Sequence, residues 1–395
     1  MNTLIKLQDI ANHMDLELGE EVRPQPTTPQ TAPCGVPFSK PDQLSKKESL
    51  SIYEAVRPDG KPMRLFKTLL TSACERNCYY CPFRTGRNYR RQTLKPEEMA
   101  QTFSDLHRAG VVDGLFLSSG IIKGGVSTQD RLLDTADILR HKHHFSGYLH
   151  LKIMPGAEKE QVRQAMQLAN RLSVNLEAPN DQRLLELAPK KMFVDELLTP
   201  LRWVNEIRQN ESSRLGWHGR WPSTTTQFVV GGTDESDLEL LTTTEFLHKH
   251  LQLCRVYFSP FKPVKDTPLE NRAAASPLRQ HRLYQTAFLF RDYGFDLEEL
   301  AFDKHGNLPL EMDPKLAWAW QNLQENPVEL NQADKEDLLR VPGIGPQSAY
   351  NIVAARRQSN LRELQDLQQI GVTIKRMKPF VLLDGKRPSY QLPLF

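Results

Sequence analysis

The amino-acid sequence predicts an α/β fold, in which six strand–helix units form a partial (βα)6 barrel that is followed by a small all-α domain. From about residue 64, short runs rich in β-branched and aromatic residues alternate with stretches of helical periodicity. Strands that alternate with helices favour a parallel sheet covered by helices. Near residue 326 this alternation ends, and short helical segments surround the turn Pro342–Pro346 without any strand pattern.

The elements of the barrel are predicted in a regular order. The expected strands are Arg64–Leu70, Gly114–Ser119, Tyr148–Met154, Ser173–Ala178, Thr225–Val230 and Arg255–Ser259. The expected helices are Pro96–Arg108, Thr128–His141, Glu158–Asn170, Asp195–Arg208, Asp237–Leu251 and Pro277–Tyr293. A further helix is expected near the N-terminus, because apolar residues repeat there at helical spacing, namely Leu4, Leu7, Ile10, Ala11 and Met14.

Three regions are expected from composition. Residues 1–60 hold the N-terminal helix and a proline-rich arm, residues 61–325 the barrel, and residues 326–395 the all-α domain. Residues 23–42 carry six prolines, a composition that favours extended backbone. No apolar run is long enough to span a bilayer and residues 1–21 lack the pattern of a signal peptide, so we expect a cytoplasmic protein.

The cysteines give the strongest functional signal. Three of the five lie in the segment Cys74-Glu-Arg-Asn-Cys78-Tyr-Tyr-Cys81, directly after the first predicted strand. Thiolates hold iron–sulfur clusters, and three of them leave one iron of a [4Fe–4S] cluster without a protein ligand. Loops that follow barrel strands lie on the face where active sites form. The alternative is a structural zinc site whose fourth ligand is Cys34, Cys254 or a histidine.

This cysteine spacing resembles that of the radical S-adenosylmethionine (SAM) superfamily. The resemblance implies a TIM-like radical SAM barrel, a [4Fe–4S] cluster on Cys74, Cys78 and Cys81, and reductive cleavage of SAM to a radical that abstracts a substrate hydrogen. It also implies SAM contacts from a set of residues on the cysteine loop and on later strands, namely Tyr80, Ser118, Ser119, Gly120, Asn175, Glu177 and Val229.

The SAM contacts match the superfamily to different degrees. Ser118 and Ser119 replace glycines of the usual glycine-rich segment. Asn175 and Glu177 are expected on one face of the fourth strand, where they would bind the ribose hydroxyls. The alternative is an ordinary polar pair in the barrel interior. Val229 lies in a glycine-terminated strand that resembles the adenine side of the site.

Two segments carry the residue types that bind nucleic acids. Between Lys61 and Lys95 there are nine basic residues and one acidic residue, and four arginines lie directly behind the cysteine loop, namely Arg84, Arg87, Arg90 and Arg91. Their guanidinium groups could hold phosphates, or the loop could simply be solvated. In Arg214–Pro222, aromatic residues alternate with Arg and His, which suits base stacking. Alternatively, its tryptophans cover the edge of the barrel.

The C-terminal segment Pro342-Gly343-Ile344-Gly345-Pro346 resembles a helix-hairpin-helix motif. The resemblance implies that Gly343, Ile344 and Gly345 offer backbone N–H groups to a DNA phosphate, supported by the N-terminus of the next helix. A second, degenerate copy is expected at Leu361–Phe380. Residues 332–395 carry a net charge of +4, which suits nucleic acid. Some such hairpins serve only packing or protein contacts.

As a whole, residues 63–378 resemble radical SAM proteins associated with DNA modification or repair. The leading hypothesis is a radical SAM enzyme that acts on a nucleic acid, DNA rather than RNA. Its expected partners are that nucleic acid and an electron donor such as a flavodoxin or ferredoxin, without a membrane. Two alternatives stay open. The first is a radical SAM enzyme that acts on a small metabolite or on a protein and uses its hairpin for docking. The second is a non-enzymatic iron–sulfur sensor that binds DNA. Cys34 could reach the site from its arm, and Cys254 is expected to be buried at a helix end.

Overall fold

The computed structural model describes residues 3–14, 50–56 and 62–389. They fall into two compact units, one from Met1–Glu235 with Leu251–Ala275 and the other from Ser236–His250 with Ser276–Phe395. The proline-rich arm and Cys34 lie outside the described residues. In the described ranges, no helix combines the length and the apolar character needed to cross a membrane. The domain limits expected from composition stay predictions.

The first unit is built on a seven-stranded sheet whose strands follow one another in chain order. The strands are β1 (Ile52–Val56), β2 (Pro62–Leu69), β3 (Gly114–Ser118), β4 (Tyr148–Lys152), β5 (Arg171–Ser173), β6 (Ser223–Val230) and β7 (Arg255–Pro260). Strands β2 to β7 pair in parallel, and β1 joins β2 in antiparallel orientation. The predicted α/β fold with a partial barrel is confirmed, and β1 is an addition that periodicity did not reveal.

The helices of the first unit lie in the connections between the strands, except the first helix, which precedes β1. They are α1 (Thr3–Met14), α2 (Pro96–Arg108), α3 (Gly124–Asp137), α4 (Lys159–Leu168), α5 (Asp181–Leu187) and α6 (Thr199–Asn210). Two π-helical turns, Ile138–Lys142 and Phe193–Leu198, continue α3 and precede α6. The short helix α5 was not predicted. Its N-cap is Asn180, whose side chain accepts a hydrogen bond from the backbone N–H of Arg183.

The fourth barrel strand differs from its prediction. Strand β5 ends at Ser173, whereas the expected strand runs to Ala178. Beyond Ser173, the backbone N–H of Leu176 donates to the Thr226 hydroxyl at 3.1 Å instead of a main-chain carbonyl. Glu177 adopts a φ of 66°, which a regular strand does not allow. The expectation that Asn175 and Glu177 share the face of a regular strand is therefore wrong; both residues follow the carboxyl end of β5.

The second unit is mainly helical. Its helices are α7 (Asp237–Leu251), α8 (Pro277–Tyr293), α9 (Pro314–Asn322), α10 (Lys335–Arg340), α11 (Pro346–Arg356) and α12 (Leu364–Gln369). Two short parallel strands, β8 (Val328–Glu329) and β9 (Val381–Leu382), join the ends of the C-terminal region and were not expected. Leu330, Ile344 and Phe380 belong to the buried cluster that holds this region together.

Arg140 lies in the first π-helical turn and links several elements of the first unit by buried hydrogen bonds. It is 3% exposed, and its guanidinium donates to the carbonyls of Phe145 (2.7 Å), Gly147 (2.9 Å) and Leu168 (2.9 Å) and to Asn170 Oδ1 (2.9 Å). Burial lowers the pKa of Arg140 to about 10, so the group stays charged at neutral pH. These bonds join the end of α3 to the starts of β4 and β5.

We expect Arg140→Met to lower the free energy of unfolding by about 3 kcal/mol, because its buried acceptors lose their donor. Arg108→Met is the matched control: it removes an exposed guanidinium that pairs with Asp105, and we expect a change within about 0.5 kcal/mol. Urea denaturation followed by circular dichroism measures both. Equal midpoints for the two variants would contradict the structural role of Arg140.

Candidate active site

The cysteine loop follows the carboxyl end of β2. Cys78 is buried, and Cys74 and Cys81 are half-buried. Backbone N–H groups of Arg76 and Ile121 both lie 3.4 Å from Cys74 Sγ, and the N–H of Phe83 lies 3.4 Å from Cys81 Sγ. Such N–H donors stabilise thiolate sulfur and tune an iron–sulfur cluster.

The cysteines line a cavity together with residues from three other strand ends. The predicted SAM-binding residues that share this cavity are Tyr80, Ser118, Ser119, Gly120, Asn175 and Glu177. Val229 lines an adjoining cavity that shares five residues with the first. The structure therefore brings every predicted cluster and cofactor residue to the same edge of the sheet.

Gly120 permits the close approach of the two loops that follow β2 and β3. Its backbone N–H donates to the Thr71 carbonyl at 2.8 Å. A Cβ atom at this position would stand 2.1 Å from the Ala73 carbonyl oxygen, which is closer than any real contact. Only glycine fits here. The sequence analysis assigned Gly120 to SAM; the structure adds that it sets the distance between the loops.

A buried ion pair lies at the centre of the cavity. Lys191 Nζ stands 3.1 Å from Glu177 Oε1, and both side chains are less than one-tenth exposed. Burial alone would raise the pKa of the Glu177 carboxyl, but Lys191 and Lys152 hold it below its ordinary value. Burial would lower the pKa of Lys191, but Cys78 and Glu177 raise it. Both groups are therefore charged at neutral pH.

Tyr80 completes the polar wall of this cavity. Lys191 Nζ lies 3.4 Å from its hydroxyl oxygen. Burial, followed by the charge of Glu177, raises the pKa of Tyr80 well above its ordinary value, so the phenol stays protonated. Glu177 Oε2 is buried, and within the described residues no donor stands at both the distance and the angle of a hydrogen bond to it. A buried carboxylate beside two ammonium groups fits a ligand with both hydroxyl groups and ionic ends, as SAM has.

Sequence analysis missed three residues of this site. Lys152 lies at the end of β4, and Lys191 follows α5. Glu196 accepts from Arg76 Nη2 at 2.5 Å and from the Met192 N–H at 3.0 Å, which ties the cysteine loop to the segment before α6. None of these residues belongs to a local motif, so spacing along the chain gave no signal for them.

The arginines behind the cysteine loop mainly hold that loop together. Arg84 donates to the Asn77 carbonyl at 3.4 Å, and Arg87 donates to the Lys265 carbonyl at 2.9 Å. Arg91 donates to the Arg84 carbonyl at 3.1 Å and to the Tyr89 hydroxyl at 2.8 Å. Arg90 is the exception, with a side chain that is 68% exposed and 3.9 Å from Asp9. A phosphate-binding role for these four arginines stays a prediction, for which Arg90 is best placed.

The loop Arg214–Pro222 lies at the edge of the sheet opposite the cysteine loop. It precedes β6, and Trp217 shares a cavity with Asp137 and His141 from the end of α3. The carboxyl ends of the helices and the amino ends of the strands lie at the same edge of a parallel βα sheet, opposite the cysteine loop. Arg140 stacks on the Trp217 ring at 4.0 Å. The structure supports the alternative that this loop covers the edge of the barrel.

Cys254 does not complete a metal site with the three loop cysteines. It is exposed, contrary to expectation, and it directly precedes β7. The six residues of β7 place it about 20 Å from the opposite edge of the sheet, where the cysteine loop lies. Within the described ranges, no group of three or more His, Cys, Asp or Glu side chains is arranged to hold a single metal ion. A four-iron cluster spaces its thiolates more widely than a single ion does.

The C-terminal hairpin connects α10 to α11. Gly343 has a φ of 90°, and Gly345 is the N-cap of α11, which begins at Pro346. Ile344 is buried, its N–H donates to the Val341 carbonyl at 3.1 Å, and its own carbonyl accepts from Lys315 Nζ at 2.6 Å. The expectation that Ile344 offers an N–H group to a phosphate is therefore wrong, because this residue anchors the hairpin.

The expected second copy is incomplete. Gly371 has a φ of 76° after α12, and Asn351 Nδ2 donates to the Ile370 carbonyl at 2.8 Å. Instead of a second helix, a 3₁₀ turn at Lys378–Phe380 follows and leads into β9. This segment packs against the first hairpin, since the Thr373 carbonyl lies 3.2 Å from the position of a Cβ on Gly343.

Two family models match the chain. The one described as the radical SAM superfamily matches residues 68–247, which include the cysteine loop, Ser118–Gly120 and Glu177. Residues 68–247 form a radical SAM domain. The other model, described as a helix-hairpin-helix motif, matches residues 324–381. The radical SAM family uses a [4Fe–4S] cluster and SAM, and these are the cofactors of this domain.

Three solved structures are similar to part of the chain. Methylornithine synthase is 14% identical over 57% of this chain and 62% of its own, with a TM-score of 0.45. The hydrogenase maturase HydG from Carboxydothermus hydrogenoformans is 15% identical over 57% and 50%, with a TM-score of 0.45. Coproporphyrinogen III oxidase from Escherichia coli is 15% identical over 57% and 52%, with a TM-score of 0.36. The chain thus covers less than two thirds of each of them, and no curated protein matches it.

We expect Lys191→Met to lower the free energy of unfolding by about 3 kcal/mol at pH 7, because Glu177 stays buried without its partner. The double variant Lys191→Met with Glu177→Gln should recover much of this loss. Urea denaturation of the three proteins without cofactors measures the coupling. A double variant less stable than Lys191→Met alone would contradict the pairing.

The same pair predicts a pH dependence. The pKa of Glu177 in the folded enzyme lies below the ordinary value of 4.5, so its contribution to stability is present above about pH 4.5 and is lost as the pH falls further. In Lys191→Met, burial dominates and raises the pKa of Glu177, so stability should instead fall as the pH rises. Denaturation midpoints between pH 3 and pH 8 test this reversal, and parallel curves for both proteins would contradict it.

Proposed function

We propose that this radical SAM enzyme modifies or repairs a nucleic acid, DNA rather than RNA. The observation that carries the proposal is the presence of a helix-hairpin-helix motif at residues 324–381 in the same chain as the radical SAM domain. The hairpin suits a phosphate backbone, and its contacts would position a strand without reading its sequence. The reaction and the modified atom are open.

The arrangement of the cofactor residues supports the first half of this proposal, which is the radical SAM chemistry. Cys74, Cys78 and Cys81 would hold the cluster, and Asn175 and Glu177 would accept from the ribose hydroxyls of SAM. When bound, the cluster and SAM supply one-electron chemistry that begins with abstraction of a substrate hydrogen. Reduction of the cluster requires an electron donor such as a flavodoxin or ferredoxin.

The remaining residues of the cavity would orient the bound groups and exclude water. Lys191 holds Glu177 ionised, so its carboxylate accepts hydrogen bonds at neutral pH. Tyr80 stays a hydroxyl donor because burial keeps it protonated. Gly120 allows the loops after β2 and β3 to approach each other closely. A fixed set of buried dipoles and charges is what positions a reacting group for abstraction.

The hairpin supports the second half of the proposal, which is that the substrate is a nucleic acid. Gly343 lies in the left-handed region and Gly345 is the N-cap of α11, and at the N-terminus of this helix the unpaired N–H groups and the helix dipole favour an anion. Lys375 and Arg376 are exposed nearby, and Arg376 lines a cleft together with Gly343 and Gly345. Basic side chains next to such a nest suit a phosphate.

A second candidate function uses the hairpin for a protein contact. Tyr350 on α11 is 67% exposed, and large exposed aromatic side chains are common at protein interfaces. In that case, the substrate of the radical SAM domain would be a protein or a small metabolite. The binding experiment below separates the two candidates.

We expect the anaerobically reconstituted enzyme to release 5′-deoxyadenosine from SAM in the presence of dithionite. The triple variant Cys74→Ala, Cys78→Ala, Cys81→Ala should release none, because no thiolates remain to hold the cluster. Cys254→Ala is the matched control and should retain the activity. Chromatography with mass detection measures the product. Continued release by the triple variant would refute the cluster assignment.

We expect the enzyme to bind duplex DNA with an affinity whose logarithm falls linearly with the logarithm of salt concentration. Gly343→Ala should weaken binding about tenfold, because the turn that presents the N–H groups is strained. Gly385→Ala is the matched control, since it also has a positive φ but lies outside the hairpin. Fluorescence anisotropy with DNA and RNA duplexes measures this. Absence of binding at low salt, or equal losses in both variants, would favour the protein-contact candidate.

A further inference from the structure

The segment between α5 and the second π-helical turn is fixed to the cysteine loop by hydrogen bonds to its main chain. The backbone N–H of Tyr79 donates to the Leu187 carbonyl at 2.9 Å. The guanidinium of Arg76 donates to the Lys190 carbonyl. Both donors belong to the loop that carries the three cysteines, and their acceptors precede Lys191 by one and four residues. The backbone of Lys191 is therefore held at a fixed position relative to the cluster ligands.

The side chain of Lys191 reaches into the cavity that the cysteines line. It is 8% exposed, and its Nζ atom lies 3.1 Å from Glu177 Oε1 and 3.4 Å from the Tyr80 hydroxyl oxygen. The same atom lies 5.9 Å from the centre of the Tyr80 ring. Tyr80 directly precedes Cys81 in the chain. The ammonium group is thus shielded from water and stands beside the residues that would ligate the cluster.

The charge of Lys191 acts on the thiolates as well as on Glu177. Burial raises the pKa of the Cys78 thiol, and Lys191, which lowers this pKa, is the strongest of the charged groups that act on it. Glu177 raises the pKa of Cys78 with a smaller effect. Burial would lower the pKa of Lys191, but Cys78, ahead of Glu177, raises it. Glu177 therefore does not cancel the positive charge of Lys191 at the position of Cys78.

A buried cation beside the cluster ligands favours reduction. The electron donor supplies one electron, which adds one negative charge to the group held by the cysteines without breaking a bond. Net charge and solvent exposure around a cluster help to set its reduction potential, and a buried charge is screened little by salt. Arg76 also lowers the pKa of Cys78, but it acts less strongly and is paired with Glu196 at 2.5 Å. Lys191 is the better placed of the two cations.

We propose that Lys191 is a positioning residue that raises the reduction potential of the cluster on Cys74, Cys78 and Cys81. Its ammonium group does not ligate iron; it acts through the thiolates across the cavity that it shares with them. This role is additional to holding Glu177 ionised. It concerns the cofactor and not the substrate, so it can fail while the nucleic-acid proposal stands, and the reverse also holds.

A redox titration of the anaerobically reconstituted protein without SAM tests this role, with the electron paramagnetic resonance signal of the reduced cluster as the readout. Lys191→Met should lower the equilibrium constant for reduction at least about tenfold, which is a shift of about 59 mV to more negative potential for one electron. Lys191→Arg keeps the charge and should stay within about threefold of the wild type. Lys190→Met is the matched control, because it removes an exposed ammonium group and keeps the carbonyl that Arg76 contacts.

The double variant Lys191→Met with Glu177→Gln decides the question if Lys191→Met alone fails to hold a cluster, because it leaves no partner of this pair charged. Since Lys191 acts on Cys78 more strongly than Glu177 does, the potential of the double variant should lie below that of the wild type and above that of Lys191→Met. A potential at or above that of the wild type would overturn the proposal. An unchanged potential in Lys191→Met, or an equal shift in Lys191→Arg or Lys190→Met, would overturn it as well.

Discussion

The parallel, sequential order of β2 to β7 is the constraint on which the site depends. Because all six strands point the same way, their carboxyl ends meet at one edge of the sheet. The cysteine loop after β2, Ser118–Gly120 at the end of β3, and Glu177 after β5 reach one cavity for this reason. The close approach at Gly120 and the buried Glu177–Lys191 pair then fix the distances within it.

Much of the fold and the cluster loop could be predicted because their signals are local. Alternation of strands and helices, and three cysteines within eight residues, can be read from a short window of sequence. Strand β5 could not be placed correctly, because its end is set by the Thr226 hydroxyl of a neighbouring strand and by the positive φ of Glu177. Strands β8 and β9 have two residues each, too few for a pattern.

The charged residues of the site were the least predictable. Lys67, Lys152 and Lys191 are ordinary lysines in the sequence, and only the sheet brings them to the same two cavities. The arginine cluster shows the reverse case. Its charge density suggested a ligand, but Arg84, Arg87 and Arg91 donate to carbonyls of the protein itself. Net charge along the chain therefore did not reveal that these arginines are used within the protein; their hydrogen-bond partners did.

The assignment of the cofactors rests on residues of the barrel, and the proposal of a nucleic-acid substrate rests on the hairpin. One experiment tests both assignments, because it follows the transfer of hydrogen from the substrate to the 5′-deoxyadenosyl group that SAM supplies. The most direct measurement is the mass of 5′-deoxyadenosine formed when the reconstituted enzyme turns over with DNA that carries deuterium on its sugars and bases. The account predicts 5′-deoxyadenosine that is heavier by one deuterium. Unlabelled 5′-deoxyadenosine, formed at the same rate with and without DNA, would contradict it.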